Sequence, residues 1–260
     1  MTYLTTLAAL AFYASGWAHL WQHRQQTSPP RLWLILAGLA CHLIAAHSHL
    51  FGDAVMQLSL IYVVNVLTLV ITAVVGLASL RLRVHQLLVL IVPLDIIALS
   101  AALIFEPGPG DVALIDGTLL AHILISLAAY SVLMLAACQS ILLAVLERQL
   151  RNPQQSQAPW LGPLDSMEQL LVTLLWIGLA LLTLSIGSGF LFLEDVMAQN
   201  VAHHIVITSL SWLVYAFFLA GRYFFGWRGL TAVRWTLVAF ALLVIGYLGS
   251  KFVLEYLIPQ

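Results

Sequence analysis

Hydrophobic and polar positions along this chain fall into long alternating blocks. Apolar runs cover 3–22, 32–50, 58–80, 86–105, 116–146, 167–193, 203–224 and 233–257. About 20 such residues in a helix cross the hydrocarbon layer of a bilayer, so each run predicts one transmembrane helix. Turn chemistry separates them: Ser28-Pro29-Pro30, Pro107-Gly108-Pro109-Gly110, Asn152-Pro153 and Pro163. The fifth and sixth runs are longer than a crossing needs and must tilt or project. Gly187 and Gly189, and Gly246 and Gly249, suit close helix packing. The expectation is an all-α, polytopic membrane bundle of about eight transmembrane helices, with residues 1–260 forming one integral membrane domain.

Composition agrees with this reading. The 260 residues are 62% hydrophobic and 8% charged, against about 25% charged in soluble domains. A formal net charge of -1 leaves no basic surface to neutralise phosphates, which excludes nucleic acid as a partner. Cys41 and Cys138 lie inside apolar runs and form neither a CxxC pair nor a CxxCH site, so disulfides and covalent haem attachment are not expected. No Lys or Arg precedes the first run, so it reads as a retained helix rather than a cleaved signal.

Charge placement adds an orientation. Arg24 and Arg31, Arg81 and Arg83, Arg148 and Arg151, and Arg222, Arg228 and Arg234 lie on one set of alternating connections or their flanks. The other three connections carry only acids: Asp53; Glu106, Asp111 and Asp116; Glu194 and Asp195. Basic loops stay inside, so both termini are expected on the outer, periplasmic side of a bacterial inner membrane.

With that orientation, His42, His122, His203 and His204 fall inside spans toward the outer face, where an imidazole is costly and signals function. His122, Ser126 and Tyr130 are spaced i, i+4, i+8, which reads as one helix face. That face holds either a ligand with hydroxyls below it or a polar seam against a neighbouring helix. His42 is either a ligand or a buried hydrogen-bonded histidine, and periodicity does not choose between His203 and His204. Asp95, two residues after Pro93, is either a relay or ion site with Asn65, or part of a kink satisfied by local hydroxyls or Asn65. Zinc prefers four tetrahedral ligands, whereas haem needs only one or two axial imidazoles in an apolar pocket. Two histidines in an aliphatic bundle fit haem better. No catalytic motif marks a nucleophile or general base, so an enzyme is not expected.

The resemblance carried by Leu120-Ala121-His122 with Ser126 and Tyr130, by Gly226-Trp227-Arg228-Gly229 followed by Arg234-Trp235, and by Cys41-His42 is to the cytochrome c assembly protein family, with its CcsA and HemX branches. It extends to Leu182-Thr183-Leu184 through Gly189-Phe190, and to Gly246-Tyr247 through Gly249-Ser250. It implies noncovalent haem as cofactor and partner, with His122 as the outer-face ligand, His42 as a membrane-embedded iron ligand and His203 as a further haem contact. Two family features are missing. No tryptophan lies in an outer loop, where the family's haem-presenting WWD segment stands, and the last span lacks a late histidine. The resemblance therefore also implies an alternative: an accessory membrane protein of the HemX type, acting on a partner enzyme or transporter without haem.

Overall fold

A computed structural model describes residues 2–23, 32–50, 59–82, 84–105, 117–151, 159–192 and 202–252. Among these residues every regular element is helical. The chain divides into two compact units, Met1–Leu114 and Ile115–Gln260.

The first unit contains α1 (Thr2–Gln22), α2 (Trp33–Leu50), α3 (Leu60–Ala78) and α4 (Leu88–Ile104), with a 3-10 turn at His85–Leu87 leading into α4. Each helix packs on the next, and α4 returns to α1, closing a four-helix ring. Tyr13, Ile35, Ile71, Leu88 and Ile91 are buried within this unit. Pro93 sits inside α4. Its missing N–H leaves the Val89 carbonyl without its in-helix donor, and the Trp17 indole of α1 donates to that oxygen instead, at 3.0 Å.

The second unit contains α5 (Gly117–Arg151), a 3-10 turn at Pro159–Leu161, α6 (Leu164–Phe192), α7 (Ala202–Phe225) and α8 (Leu230–Val244), which runs on through a π-helical turn at Ile245–Gly249 to Ser250–Phe252. It is again a ring: α5 on α6, α6 on α7, α7 on α8, α8 back on α5. Side chains that bond a neighbouring helix lock it, as expected where lipid supplies no hydrophobic drive for helix association. Gln139 donates to the Met167 carbonyl at 3.0 Å, Trp212 to Thr183 Oγ1 at 2.8 Å and Ser211 to the Ala239 carbonyl at 2.7 Å.

Six segments, from Leu60–Ala78 to Leu230–Gly249, are long and apolar enough to cross a membrane. The protein is therefore a multi-pass, all-helical membrane protein. The first two expected spans differ from the other six. Trp33–Ser48 is apolar but shorter. The 21-residue α1 has the length, but Thr5, Thr6, Ser15, His19 and Gln22 interrupt its apolar run. At ~1.5 Å per residue the 35-residue α5 is ~50 Å long and extends well past a ~30 Å hydrocarbon core, as the length of its apolar run predicts.

Candidate functional site

Each unit holds its own polar centre. In the first, α2 points the His42 imidazole inward, where it is 0% exposed. Its Nδ1 lies 3.3 Å from the Tyr13 hydroxyl of α1 and 3.7 Å from Asp95 Oδ1 of α4. The Tyr13 ring meets the imidazole edge to face. The other Asp95 oxygen accepts a hydrogen bond from Thr72 Oγ1 of α3 at 2.5 Å. All four helices thus contribute one polar group to a line of contacts: Tyr13, His42, Asp95, Thr72. Asn65 is not the group that answers the carbonyl freed by Pro93. Its side-chain amide donates to the carbonyls of Ile61 (2.9 Å) and Ala98 (3.1 Å), tying α3 to α4. Tyr13 and Thr72 are missed by sequence reasoning, because each is an ordinary residue on its own helix. Only closure of the ring makes them partners.

In the second unit, His122 and Ser126 of α5 face α6. His122 Nδ1 lies 2.9 Å from Ser188 Oγ, and Ser126 Oγ lies 2.7 Å from Ser185 Oγ. The Ser188 hydroxyl hydrogen is directed to the Ser185 carbonyl at 2.9 Å, so Ser188 Oγ accepts from His122 Nδ1–H. This hydrogen-bond pattern is compatible with the imidazole tautomer that carries the proton on Nδ1 and the lone pair on Nε2. The Ser126 hydroxyl likewise donates to the His122 carbonyl at 2.8 Å, so Ser185 is the donor to Ser126. Gly189 lies against the ring: a Cβ there would come within 3.3 Å of His122 Cε1. The imidazole itself is only half-buried.

Tyr130 does not continue this seam. Eight residues advance a helix by about 80° beyond two full turns, and Tyr130 is buried against Tyr247 of the π-helical turn, ring centroids 5.2 Å apart. The serines Ser185 and Ser188 carry the signal that sequence reasoning overlooked: at i, i+3 they present two hydroxyls on one face of α6. His203 and His204 open α7, but their side chains lie outside the described residues. His49 lies one residue before the end of α2 and its side chain is likewise outside them, while His47 is exposed. Among the described residues no cluster of three or more His, Cys, Asp or Glu could hold a metal ion.

A third polar group lies at the turn between α7 and α8, the Gly226-Trp227-Arg228-Gly229 segment. Glu168 of α6 is buried beneath it. The Gly229 N–H donates to Glu168 Oε1 at 2.9 Å, while Oε2 lies 3.9 Å from Arg222 Nη1 and 3.8 Å from Arg228 Nε. Arg222 also donates to the Trp227 carbonyl at 3.3 Å. Gly226 and Gly229 have positive φ, 67° and 58°, which glycine adopts without a steric penalty. The motif is therefore a tight turn fastened to a buried carboxylate. Glu168 could not be foreseen, because a single acid in the first turns of a helix usually faces water.

Residues 28–258 match the family described as Cytochrome C assembly protein. The inner membrane protein YpjD of Escherichia coli strain K12 is 30% identical over 219 residues, covering 83% of this chain and 82% of that protein. An uncharacterized 28.8 kDa protein of Azospirillum brasilense is 29% identical over 140 residues, 53% of this chain and 52% of that one. No solved structure matches the chain.

Proposed function

We propose, from the premise that this chain belongs to the cytochrome C assembly protein family, that it is a haem-handling protein of the bacterial inner membrane. In this reading both termini face the periplasm, all eight helices span, and noncovalent haem is held near the periplasmic face of the second unit. The protein carries, senses or stabilises haem and catalyses no reaction.

The observation that carries the reading is the setting of His122. Its Nδ1 is engaged by Ser188, which leaves the Nε2 lone pair as the donor to iron. Histidines that bind metals characteristically fix their other ring nitrogen in this way. The donor set fits haem: one oriented imidazole, half-buried, beside the hydroxyls of Ser126, Ser185 and Ser188, with glycine rather than a side chain against the ring. Bound haem would supply an iron centre that accepts this nitrogen as an axial ligand. His203, at the start of α7, which packs on α6, is the companion that the same unit offers. His42 is the embedded histidine of the first unit, and there Asp95 and Tyr13 set its ring.

Purification with and without added haem tests the proposal. A Soret band that is lost or strongly shifted in His122→Ala, and not in His47→Ala, is the expected result. Absence of a Soret band in the haem-supplemented wild type, or a band indifferent to His122→Ala, refutes it.

A second reading has its own support: none of the eight tryptophans stands in an outer loop, so no haem-presenting segment accompanies His122. In that reading the protein is an accessory of the HemX type, which stabilises another membrane protein by contact. A defined partner that co-purifies equally with wild type and with a His122→Ala/His42→Ala variant distinguishes it from haem handling.

A further inference from the structure

The turn between α7 and α8 carries more cationic and aromatic surface than its clasp uses. Glu168 brings one negative charge, and its oxygens already face the Gly229 N–H, Arg222 and Arg228. Arg228 nevertheless remains 67% exposed. Arg234, at the start of α8, is exposed too, and it has no ion pair among the described residues. Each of these arginines is the sequence neighbour of an indole, and the two indoles lie face to face. The Trp227 and Trp235 centroids are 5.9 Å apart and their planes 3° from parallel. Phe217 meets both edge-on, and Phe225 stacks on Trp227. The stack therefore brings two arginine-bearing positions, one on the turn and one on α8, beside each other, each with an exposed side chain.

The surroundings identify what that spot receives. Tyr223, Phe224 and Phe225 close the last turn of α7 and are 81%, 74% and 77% exposed. Rings at the end of a spanning helix sit at the level of lipid headgroups. Guanidinium groups match phosphate oxygens with paired N–H donors. The turn is also pre-set: the bonds from Gly229 N–H to Glu168 and from Arg222 to the Trp227 carbonyl hold it before any ligand arrives. We propose that this turn binds the headgroup of an anionic phospholipid, with Arg228 and Arg234 on the phosphate and the Trp227–Trp235 stack and its neighbouring rings against the lipid's glycerol and upper acyl region. The occupant is a membrane lipid, because the cations are framed by rings at the hydrocarbon boundary. The site is independent of haem.

The test uses the full chain in neutral detergent, titrated with phosphatidylglycerol, phosphatidylcholine or inorganic phosphate and read as bound lipid by native mass spectrometry. Wild type should prefer phosphatidylglycerol. About 1 kcal/mol per basic residue near an anionic surface corresponds to about fivefold in affinity per arginine. Arg234→Gln, which breaks no ion pair, should thus lose about fivefold, and Arg228→Gln/Arg234→Gln more, while the corresponding double lysine variant keeps most of the preference. Arg81→Gln, an exposed cation of the other unit, should change nothing. Equal binding of the two lipids, no loss in Arg234→Gln, an equal loss in Arg81→Gln, or competition by inorganic phosphate as effective as the lipid would each overturn the proposal.

Discussion

The indole of Trp17 donates to the carbonyl oxygen of Val89, the oxygen that Pro93 leaves without its helical donor. A polar gap in α4 is closed by a side chain of α1, which joins the two helices where an apolar surrounding offers no alternative partner. Trp17→Phe keeps most of the ring volume but removes the donor. It should destabilise the protein by about 1–2 kcal/mol, read as a lower midpoint of unfolding in mixed micelles. Pro93→Ala restores the in-helix N–H, so Trp17→Phe should cost much less in that background. An equal cost in both backgrounds would show that the indole contributes packing alone.

A similar dependence links His42 to Asp95. The imidazole is set between Tyr13 and Asp95, and Thr72 holds the far carboxylate oxygen. Changing either His42 or Asp95 to Ala leaves the other buried with fewer partners, which costs more than the pair contributes. In a double-mutant cycle the two substitutions should be coupled by about 0.5–1.5 kcal/mol, with the double variant more stable than the sum of the singles predicts. Additive effects would mean that the 3.7 Å approach carries no energy.

These two contacts mark what could be read before the structure. The apolar blocks, the proline inside α4 and the shared face of His122 and Ser126 are local patterns of composition or helical spacing, and they were legible. The His122–Ser126 seam was legible as a face, but Tyr130 was not separable from it until helix rotation carried it round to Tyr247. The partners of His42 lie on α1 and α4, and those of Gly229 on α6. Which helix face meets which is decided by ring closure in each unit, and no residue's own neighbours encode it. Asp95 could be read either as a relay or ion site or as part of a locally satisfied kink, because its partners His42 and Thr72 are remote in the chain.

The seam around His122 makes a graded prediction. If Ser188 sets the tautomer, Ser188→Ala should weaken haem binding by about 10–100-fold without abolishing it, the usual cost of losing a group that orients a metal-binding histidine. Gly189→Ala places a methyl group near His122 Cε1 and should shift the Soret maximum or weaken binding further. Haem titrations that are unchanged in both variants would place the haem elsewhere in the molecule, even if His122→Ala were unstable.

The clasp at the α7–α8 turn can be tested through its glycine. Gly229 has φ 58° and ψ -133°, a region that residues with a Cβ enter at about 1–3 kcal/mol. A Cβ there would also lie 2.9 Å from Glu147 Oε2 and 3.1 Å from Oε1. Gly229→Ala should therefore lose stability from two separable causes. Glu147→Ala removes the steric one and breaks only the Arg151 ion pair, whose partner is largely exposed and whose contribution is at most ~1 kcal/mol. In the Glu147→Ala background, Gly229→Ala should thus cost less than in wild type but still retain the backbone penalty. Thermal unfolding of the four proteins resolves the two parts: full rescue would mean that only the carboxylate opposes the methyl group, and no rescue that the backbone alone does.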